Sequence, residues 1–272
     1  IKLMECLEEA GLPRGVVNLV TGYGSVVGDE VVSSSMIDAI GFTGSSATGK
    51  TIAIRGAGKP LSLELGGSAP CILLEDADVE RASRAIVKGC FTNAGQICTS
   101  IERIYVHESI AKEVIDCVIE KTRAIVLGNP FSPKTTMGPL HHEQAVLKVE
   151  KHLDDAVKLG ARVIMGGKRA DGFGSACYFE PTIVENMAMD SLLNTEETFG
   201  PIASLASFSC ADSLDAGLVN INEHSAYWEP HTPVGGVSGS LSGLGRIGGK
   251  HSLLEMSDLK TVVIDTGIDG LG

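Results

Sequence analysis

The sequence predicts an α/β fold in which a parallel β-sheet carries helices on both faces. Short apolar runs of strand length alternate along the chain with longer stretches of helical periodicity. Turns rich in glycine, which supplies 33 of the 272 residues, separate these segments. Alternation of this kind is typical of βαβ units, because a crossover helix joins one parallel strand to the next.

In the N-terminal part of the chain, three helices alternate with three strands. The helices are predicted over residues 1–10, 26–33 and 47–56, and the strands over residues 16–20, 37–42 and 61–65. Gly11-Leu12-Pro13 ends the first helix, since glycine and proline stop helical periodicity. Gly66-Gly67 closes the third strand.

The pattern continues in a second block. Helices are predicted over residues 79–91, 110–125 and 143–159, and strands over residues 70–74, 103–107, 161–165, 179–184, 202–208 and 218–221. Residues 229–250 are rich in Gly, Ser and Pro and are expected to form a loop. A late strand over residues 260–265 has no hairpin partner, so it needs another sheet edge. This chain's own sheet or that of a neighbouring subunit could provide the edge; the neighbour is the favoured choice, which predicts an oligomer.

Composition excludes several classes of protein. The 22 basic residues against 34 acidic ones give a formal charge of −12, which argues against a nucleic-acid partner. No apolar run approaches the roughly 20 residues that span a bilayer, and no secretory signal pattern opens the chain. The seven cysteines are irregularly spaced, without a CxxC. They indicate a reducing, cytoplasmic location with free thiols and no metal site.

A glycine loop allows three interpretations. Residues 44–51 match the phosphate-loop pattern GxxxxGK[ST], so a nucleotide triphosphatase would use Lys50 on the phosphates and Thr51 on magnesium. The loop is otherwise a plain strand-to-helix turn, or a dinucleotide site where a helix N-terminus faces a pyrophosphate. The loop alone leaves all three open.

A thiol and a carboxylate are the candidates for catalysis. Asn93 to Gln96 interrupt an apolar helix, so Cys98 leaves the core and enters a loop, where a thiol can act as a nucleophile. Glu64 lies between two leucines in a predicted strand, where a carboxylate is costly unless it is paired, solvated or functional. Glu64 is therefore a candidate general base.

These residues belong to an ordered series of motifs that resembles the aldehyde dehydrogenase superfamily. The series covers nearly the whole chain, and its order carries more weight than any single motif. It comprises Gly41-Phe42-Thr43-Gly44-Ser45, Leu63-Glu64-Leu65-Gly66-Gly67, Gly95-Gln96-Ile97-Cys98, Gly128-Asn129-Pro130, Met137-Gly138-Pro139-Leu140, Glu180-Pro181-Thr182, Glu196-Glu197-Thr198-Phe199-Gly200-Pro201, Pro233-Val234-Gly235-Gly236-Val237 and Ser242-Gly243-Leu244-Gly245-Arg246.

The resemblance implies oxidation of a small-molecule aldehyde with NAD or NADP. Cys98 would form a thiohemiacetal and then a thioester, its backbone N–H would stabilise the oxyanion, and Glu64 would activate the hydrolytic water. Gly44 and Ser45 would meet the pyrophosphate, and Glu197 the nicotinamide ribose. The full set implied for the cofactor is Thr43, Gly44, Ser45, Leu65, Gly66, Glu197 and Phe199. Under this interpretation the phosphate-loop match is coincidental.

The resemblance also implies an organisation. Residues 1–66 would form the remaining part of a Rossmann-like cofactor domain, residues 67–255 a catalytic α/β domain, and residues 256–272 an arm with an oligomerisation strand. The expected assembly is a homodimer or homotetramer, with neither nucleic acid nor membrane as a partner.

Two departures from the family pattern stand out. Members are longer at the N-terminus, and a helix-strand-helix segment is missing near residues 208–215. Either the sequence joins pieces of a longer chain under one numbering, or the protein has lost these segments and acts as an inactive binding or assembly module. Consecutive Cα atoms about 3.8 Å apart across residues 207–216 would exclude the first explanation there.

Overall fold

The structure, a computed structural model, describes residues 1–209 and 241–244. Within these ranges, α2 continues from a π-helical turn over Gly24–Gly28, and a 3₁₀ turn over Thr92–Gly95 follows α4. The helices are α1 (Lys2–Glu9), α2 (Asp29–Ser33), α3 (Ser46–Arg55), α4 (Val79–Phe91), α5 (Ala111–Thr122), α6 (Glu143–Lys158) and α7 (Leu192–Thr195).

The strands in the described part of the chain form two sheets. The small sheet has the order β1-β2-β8, from Ile40–Thr43, Leu61–Glu64 and Gly243–Leu244. The large sheet has the order β3-β4-β7-β6-β5, from Ala69–Leu73, Ile101–His107, Ile202–Phe208, Thr182–Glu185 and Arg162–Met165. Neighbouring strands run parallel except in the β2–β8 and β5–β6 pairs. The predicted α/β fold is therefore confirmed.

Sequence signals explain several element boundaries. Helix α4 begins at the predicted residue, because the Asp78 carboxylate accepts a hydrogen bond of 3.0 Å from the N–H of Arg81 and so caps the first turn. Strand β7 has the predicted bounds. Strand β6 begins three residues later than predicted, at Thr182, immediately after Pro181, which has no N–H to donate to a sheet.

One predicted strand, over residues 16–20, was wrong. Val16 and Val20 are 63% and 68% exposed, and the Val16 N–H bonds back to the Pro13 carbonyl in a turn. An apolar run forms a strand only where a neighbouring strand accepts its backbone groups, and no described strand pairs with this one. The predicted loop over 229–250, in turn, contains the two residues of β8.

Two apolar clusters lie beside the sheets. The large cluster packs α4, α5 and α6 against the large sheet, and the small one consists of Val32, Ile40, Ile52 and Leu63. None of the described helices is both long enough and apolar enough to cross a membrane. The predicted strands over 218–221 and 260–265, and the junction at 210–216, lie outside the described residues. The proposed division into domains stays a prediction.

Candidate active site

The segment from Leu65 to Ser68 joins the small sheet to the large one, and the candidate site surrounds it. Glu64 is the last residue of β2 and is half-buried. Its backbone carbonyl accepts a hydrogen bond of 3.0 Å from the N–H of Gly44, and Glu64 pairs with Gly243 of the neighbouring strand β8. The strand that carries Glu64 is therefore fixed from both sides.

Cys98 is exposed and lies in the connection between α4 and β4. The chain reaches it through three consecutive residues with positive φ: Asn93 at 53°, Ala94 at 57° and Gly95 at 72°. Residues other than glycine rarely adopt a positive φ, so the surrounding packing must stabilise this backbone conformation. Gly95 lies against the backbone carbonyl of Gly200, where a Cβ would clash. This contact ties the Cys98 loop to the residues that precede β7.

The electrostatics of Cys98 show which groups surround it. Partial burial raises the pKa of the thiol above its ordinary value, and the carboxylates of Glu197 and Glu64 raise it further, while backbone N–H groups oppose the shift. The two acids thus act on one sulfur, although they are far apart in sequence. The thiol is mostly protonated near neutral pH, so its use as a nucleophile requires a proton acceptor.

Glu197 binds the backbone of the connecting segment. Its Oε1 accepts a hydrogen bond of 2.9 Å from the N–H of Gly67. A Cβ on Gly66 would lie 2.6 Å from Oε2 of Glu197, and a Cβ on Gly67 would strike the backbone carbonyl of Cys98. Gly66 and Gly67 therefore fit between Glu197 and Cys98 because they have no side chain.

Thr43, Gly44 and Ser45 form the turn from β1 into α3, and all three are exposed. The Ser45 hydroxyl accepts a hydrogen bond of 3.3 Å from the N–H of Thr48 and caps the helix. The N-terminus of α3 thus presents backbone N–H groups beside the end of β2, a geometry that favours anions.

The same region argues against the phosphate-loop alternative. Residues 46–51 of the GxxxxGKT match are the first turns of α3 rather than a loop that could wrap phosphates. Gly49 packs against the side chain of Leu65, and the Thr51 hydroxyl bonds to the Ala47 carbonyl of its own helix. Gly49 is therefore a packing residue, and Leu65 connects α3 to the site.

Phe199 has φ of 56°, and the residue as a whole is 36% exposed. Its N–H and that of Thr198 both bond to the carboxylate of Glu102 on β4, which the sequence analysis missed. The predicted strand begins one residue after Glu102 and so leaves this acid out. The sequence did contain an indication of its role. A carboxylate near Ile101 and Ile104 is costly unless it is paired, solvated or functional, as is Glu64 between two leucines.

Two further side chains secure the segments of the site. Arg103, next to Glu102, donates hydrogen bonds of 3.0 and 2.6 Å to the carbonyl of Ser68. The buried His152 lies 3.1 Å, Nδ1 to Oγ1, from Thr198. Burial lowers the pKa of His152 most, with nearby Lys148 acting in the same direction, so the imidazole is neutral near pH 7. Residues 1–209 and 241–244 contain no cluster of side chains that could hold a metal.

Comparison with known proteins agrees with this geometry. Residues 1–212 and 206–262 match the model of the aldehyde dehydrogenase family. The chain belongs to that family. The family match comes in two pieces that meet at residues 206–212, next to the junction where the sequence suggests a missing segment. The alternative interpretation, that residues 44–51 belong to a phosphate-loop nucleotide-binding protein, is not favoured.

Several aldehyde dehydrogenases resemble this chain along most of its length. A lactaldehyde dehydrogenase of Methanocaldococcus jannaschii is 37% identical, over 97% of this chain and 62% of its own length. Succinate-semialdehyde dehydrogenase [NADP(+)] 1 of Schizosaccharomyces pombe is 36% identical, over 98% and 59%. The chain thus spans about three fifths of the length of these curated relatives.

Solved structures of the family superpose on the fold. Betaine aldehyde dehydrogenase from Staphylococcus aureus, in complex with NAD+, has a TM-score of 0.87 and 33% identity. The match covers 94% of this chain and 57% of that one. A succinate-semialdehyde dehydrogenase from Burkholderia pseudomallei has a TM-score of 0.88 at 31% identity, over 93% and 58%. The aldehyde-dehydrogenase-like α/β architecture follows from these likenesses.

Proposed function

We propose that this chain carries the catalytic machinery of an NAD(P)-dependent aldehyde dehydrogenase, which oxidises an aldehyde to a carboxylic acid. The observation that supports the proposal is the convergence of the Cys98 thiol, Glu64 and Glu197 around the Leu65–Ser68 segment. A nucleophile, a base for water and a group that binds a ribose are the side chains this reaction requires.

The described residues suit a nicotinamide dinucleotide. Gly44 and Ser45 stand at the N-terminus of α3, where backbone N–H groups would meet a pyrophosphate. Glu197 is anchored by the N–H of Gly67 through Oε1. Its other oxygen is then available for a ribose hydroxyl. Phe199, two residues further along the chain, is partly exposed. Thr43 leads into the turn before α3, Leu65 packs against Gly49 of that helix, and Gly66 leaves room for the Glu197 carboxylate.

The chemistry runs through one sulfur. Cys98 Sγ would attack the aldehyde carbon while its proton passes, through a nearby base, to the aldehyde oxygen, which gives a thiohemiacetal. A nicotinamide dinucleotide held by Gly44, Ser45 and Glu197 would supply the oxidant: it would accept the hydride of that carbon while the hydroxyl proton leaves to solvent. The substrate, now a thioester on Cys98, has lost two electrons. Glu64 removes a proton from water, which attacks the thioester and releases the carboxylic acid and the Cys98 thiol.

Three variants test this assignment. We expect Cys98→Ala to lower aldehyde-dependent NADH or NADPH production at least about 1,000-fold. Cys6→Ala, at another exposed thiol, should leave the rate within about twofold. Glu64→Gln should retain a burst of one reduced cofactor per site, followed by slow turnover, because the thioester forms but is hydrolysed slowly. A Cys98→Ala variant with the wild-type rate contradicts the proposal.

The assembly and location belong to the same proposal. The apolar pattern at residues 260–265 supports a homodimer or homotetramer, because that strand would need an edge on a second copy. Light scattering during gel filtration measures the mass, and a monomer at micromolar concentration contradicts this part. The free thiols of the described cysteines support a reducing compartment such as the cytoplasm.

A further inference from the structure

We infer that Glu102 is a positioning residue for the cofactor, which fixes the Glu197–Phe199 segment in the geometry that binds the nicotinamide ribose. This inference rests on the proposed function and adds to it a residue outside the predicted site. Glu102 touches neither the thiol nor the proposed cofactor position, so it acts through the backbone that it binds.

The contacts of Glu102 are unusually complete. Its Oε2 accepts a hydrogen bond of 2.8 Å from the N–H of Thr198, and its Oε1 accepts one of 2.7 Å from the N–H of Phe199. The residue is only 5% exposed. Hydrogen bonds to an ionised acceptor are about twice as strong as neutral ones, and water cannot replace them at this depth. Both carboxylate oxygens are thus engaged with one turn of backbone.

The backbone conformation of the turn at Thr198–Phe199 requires stabilisation by its surroundings. Phe199 adopts φ of 56°, and a residue with a bulky side chain rarely occupies the left-handed region unless its surroundings hold it there. A carboxylate stabilises a backbone conformation in which two adjacent N–H groups point at one anion. The conformation of Phe199 is therefore maintained by Glu102 and not by the intrinsic preference of the chain.

The consequence reaches the site through one residue. Glu197 directly precedes the held turn, and its carboxylate bonds to the N–H of Gly67 and packs on Gly66. If the Thr198–Phe199 turn relaxes, Glu197 and the ring of Phe199 both shift relative to Cys98. Glu102 thus sets the distance between the proposed ribose-binding acid and the nucleophile.

The contact requires an acceptor on both oxygens. Glutamine has nearly the same shape, but its NH₂ group would face one of the two N–H donors, so one bond is lost and a donor is buried against a donor. Protonation of Glu102 places a hydrogen on one oxygen and has a similar effect. The charged or titratable groups around it are Glu197, Lys148 and Cys90, with His152 and Glu196 beyond Thr198.

The first experiment measures cofactor affinity. NADH and NADPH are titrated against the wild type, Glu102→Gln, Glu102→Asp and the control Glu108→Gln, and their fluorescence reports binding. Glu108 is an exposed acid just after the same strand. We expect Kd to rise roughly 10- to 100-fold in Glu102→Gln, by less in Glu102→Asp, which keeps two acceptors, and by less than about twofold in Glu108→Gln.

The second experiment separates a positioning role from a general loss of structure. Hydrolysis of p-nitrophenyl acetate needs a thiol and water but no cofactor, so this esterase rate should stay within about threefold of wild type in Glu102→Gln. Hydrogen exchange followed by mass spectrometry should show faster exchange in a peptide over residues 196–203. The peptide over Ala111–Thr122 should not change.

The outcomes are distinct. An unchanged Kd and unchanged exchange at residues 196–203 overturn the inference, and so does an equal loss of esterase rate and cofactor binding, which would make Glu102 a general folding residue. A wild type that binds neither NADH nor NADPH overturns the proposed function instead. In that case the exchange measurement still decides whether Glu102 holds the segment.

Discussion

The small and large sheets differ in how well they are buried, although the candidate site draws on both. The large sheet packs against a cluster of 25 buried apolar residues, whereas the cluster beside the small sheet has four, counting only the described parts of the chain. Large apolar side chains before residue 55 also remain exposed, among them Val16, Val20 and Ile54. Buried apolar area is the main source of stability, so the two regions should open with different free energies.

The residues of the candidate site are divided between these two regions of different burial. Cys98, Glu102 and Glu197 are held by the large sheet and its loops, while Thr43, Gly44 and Ser45 belong to the small sheet. The proposed nucleophile therefore lies in the region with the larger core, and the proposed pyrophosphate-binding turn lies in the region with the smaller core. A ligand that spans both should stabilise the small sheet most, because binding adds free energy to whichever region it orders.

The largest expected effect tests the two cores directly. Ile183 in β6 is fully buried, so Ile183→Ala should lower the free energy of unfolding by about 2–5 kcal/mol. Ile52→Ala, in the four-residue cluster, should cost less, because fewer neighbours lose contacts. Urea denaturation followed by circular dichroism measures both. Equal losses would mean that the sheets are one cooperative core.

Next comes the segment that joins the sheets. In Gly67→Ala the new methyl would strike the Cys98 carbonyl, so we expect esterase and dehydrogenase rates to fall at least about 10-fold together. Gly28 has helical φ of −63°, and no atom lies within 4 Å of the place that a Cβ would take. Gly28→Ala is therefore the matched control and should be neutral. A normal esterase rate in Gly67→Ala would show that the contact can yield.

A third effect depends on pH. Burial raises the pKa of Glu102 from an ordinary 4.5 to about 7, although the N–H groups of Phe199 and Thr198 oppose the shift. Between these values the folded chain holds a proton that the unfolded chain has lost, so this contribution to stability falls as pH rises, by at most about 1.4 kcal/mol per pH unit. Stability differences between wild type and Glu102→Gln, measured from pH 4.5 to 8, should fall up to about pH 7 and then level off.

Cofactor affinity should respond to the same titration in the opposite sense. The ionised form of Glu102 accepts both backbone hydrogen bonds, so NADH affinity should increase as pH rises through about 7. The increase should be absent in Glu102→Gln. A pH-independent stability difference, or the same affinity profile in both proteins, would assign the titration to another group.

The smallest effect compares two helix caps. Ser45→Ala and Asp78→Ala each remove the side-chain acceptor at a helix N-terminus, which costs about 1 kcal/mol. Asp78 caps α4 of the large region, so its loss should lower the global unfolding free energy. Ser45 caps α3, so its loss should weaken NADH binding and speed amide exchange in α3 with little global change. The reverse pattern would contradict the unequal stability of the two sheets.

Local patterns were sufficient to predict most of the fold. The 3.6-residue periodicity and the Asp78 cap predict α4 with its observed bounds, and the largely apolar run at residues 202–208 predicts β7. Residues 16–20 carry an equally apolar run but form a turn, because a strand depends on a partner elsewhere in the chain. Strand β8 was not predicted, since Gly243 and Leu244 have little intrinsic preference for a strand and take their place by pairing with β2.

The candidate site was partly predictable for a similar reason. Cys98 and Glu64 stood out because each residue conflicts with its local pattern, and the structure places Glu197 and Glu64 close enough to act on the Cys98 thiol. The catalytic and binding roles of these residues stay predictions. Glu102 and Arg103 act on loops distant in sequence, at Thr198–Phe199 and Ser68. Such partners depend on tertiary contacts that a single sequence does not display.

The pairing of β8 with β2 bears on the order in which the protein is made. Leu65 donates its N–H to the Ser242 carbonyl, and the Ser46 hydroxyl bonds to the carbonyl of Leu241, 195 positions later. A ribosome adding about 5–20 residues per second needs roughly 10–40 s to span that interval. During this time, the edge of β2 that pairs with β8 in the folded protein is not yet covered by β8. Chaperone contact with the nascent chain should therefore concentrate on β2.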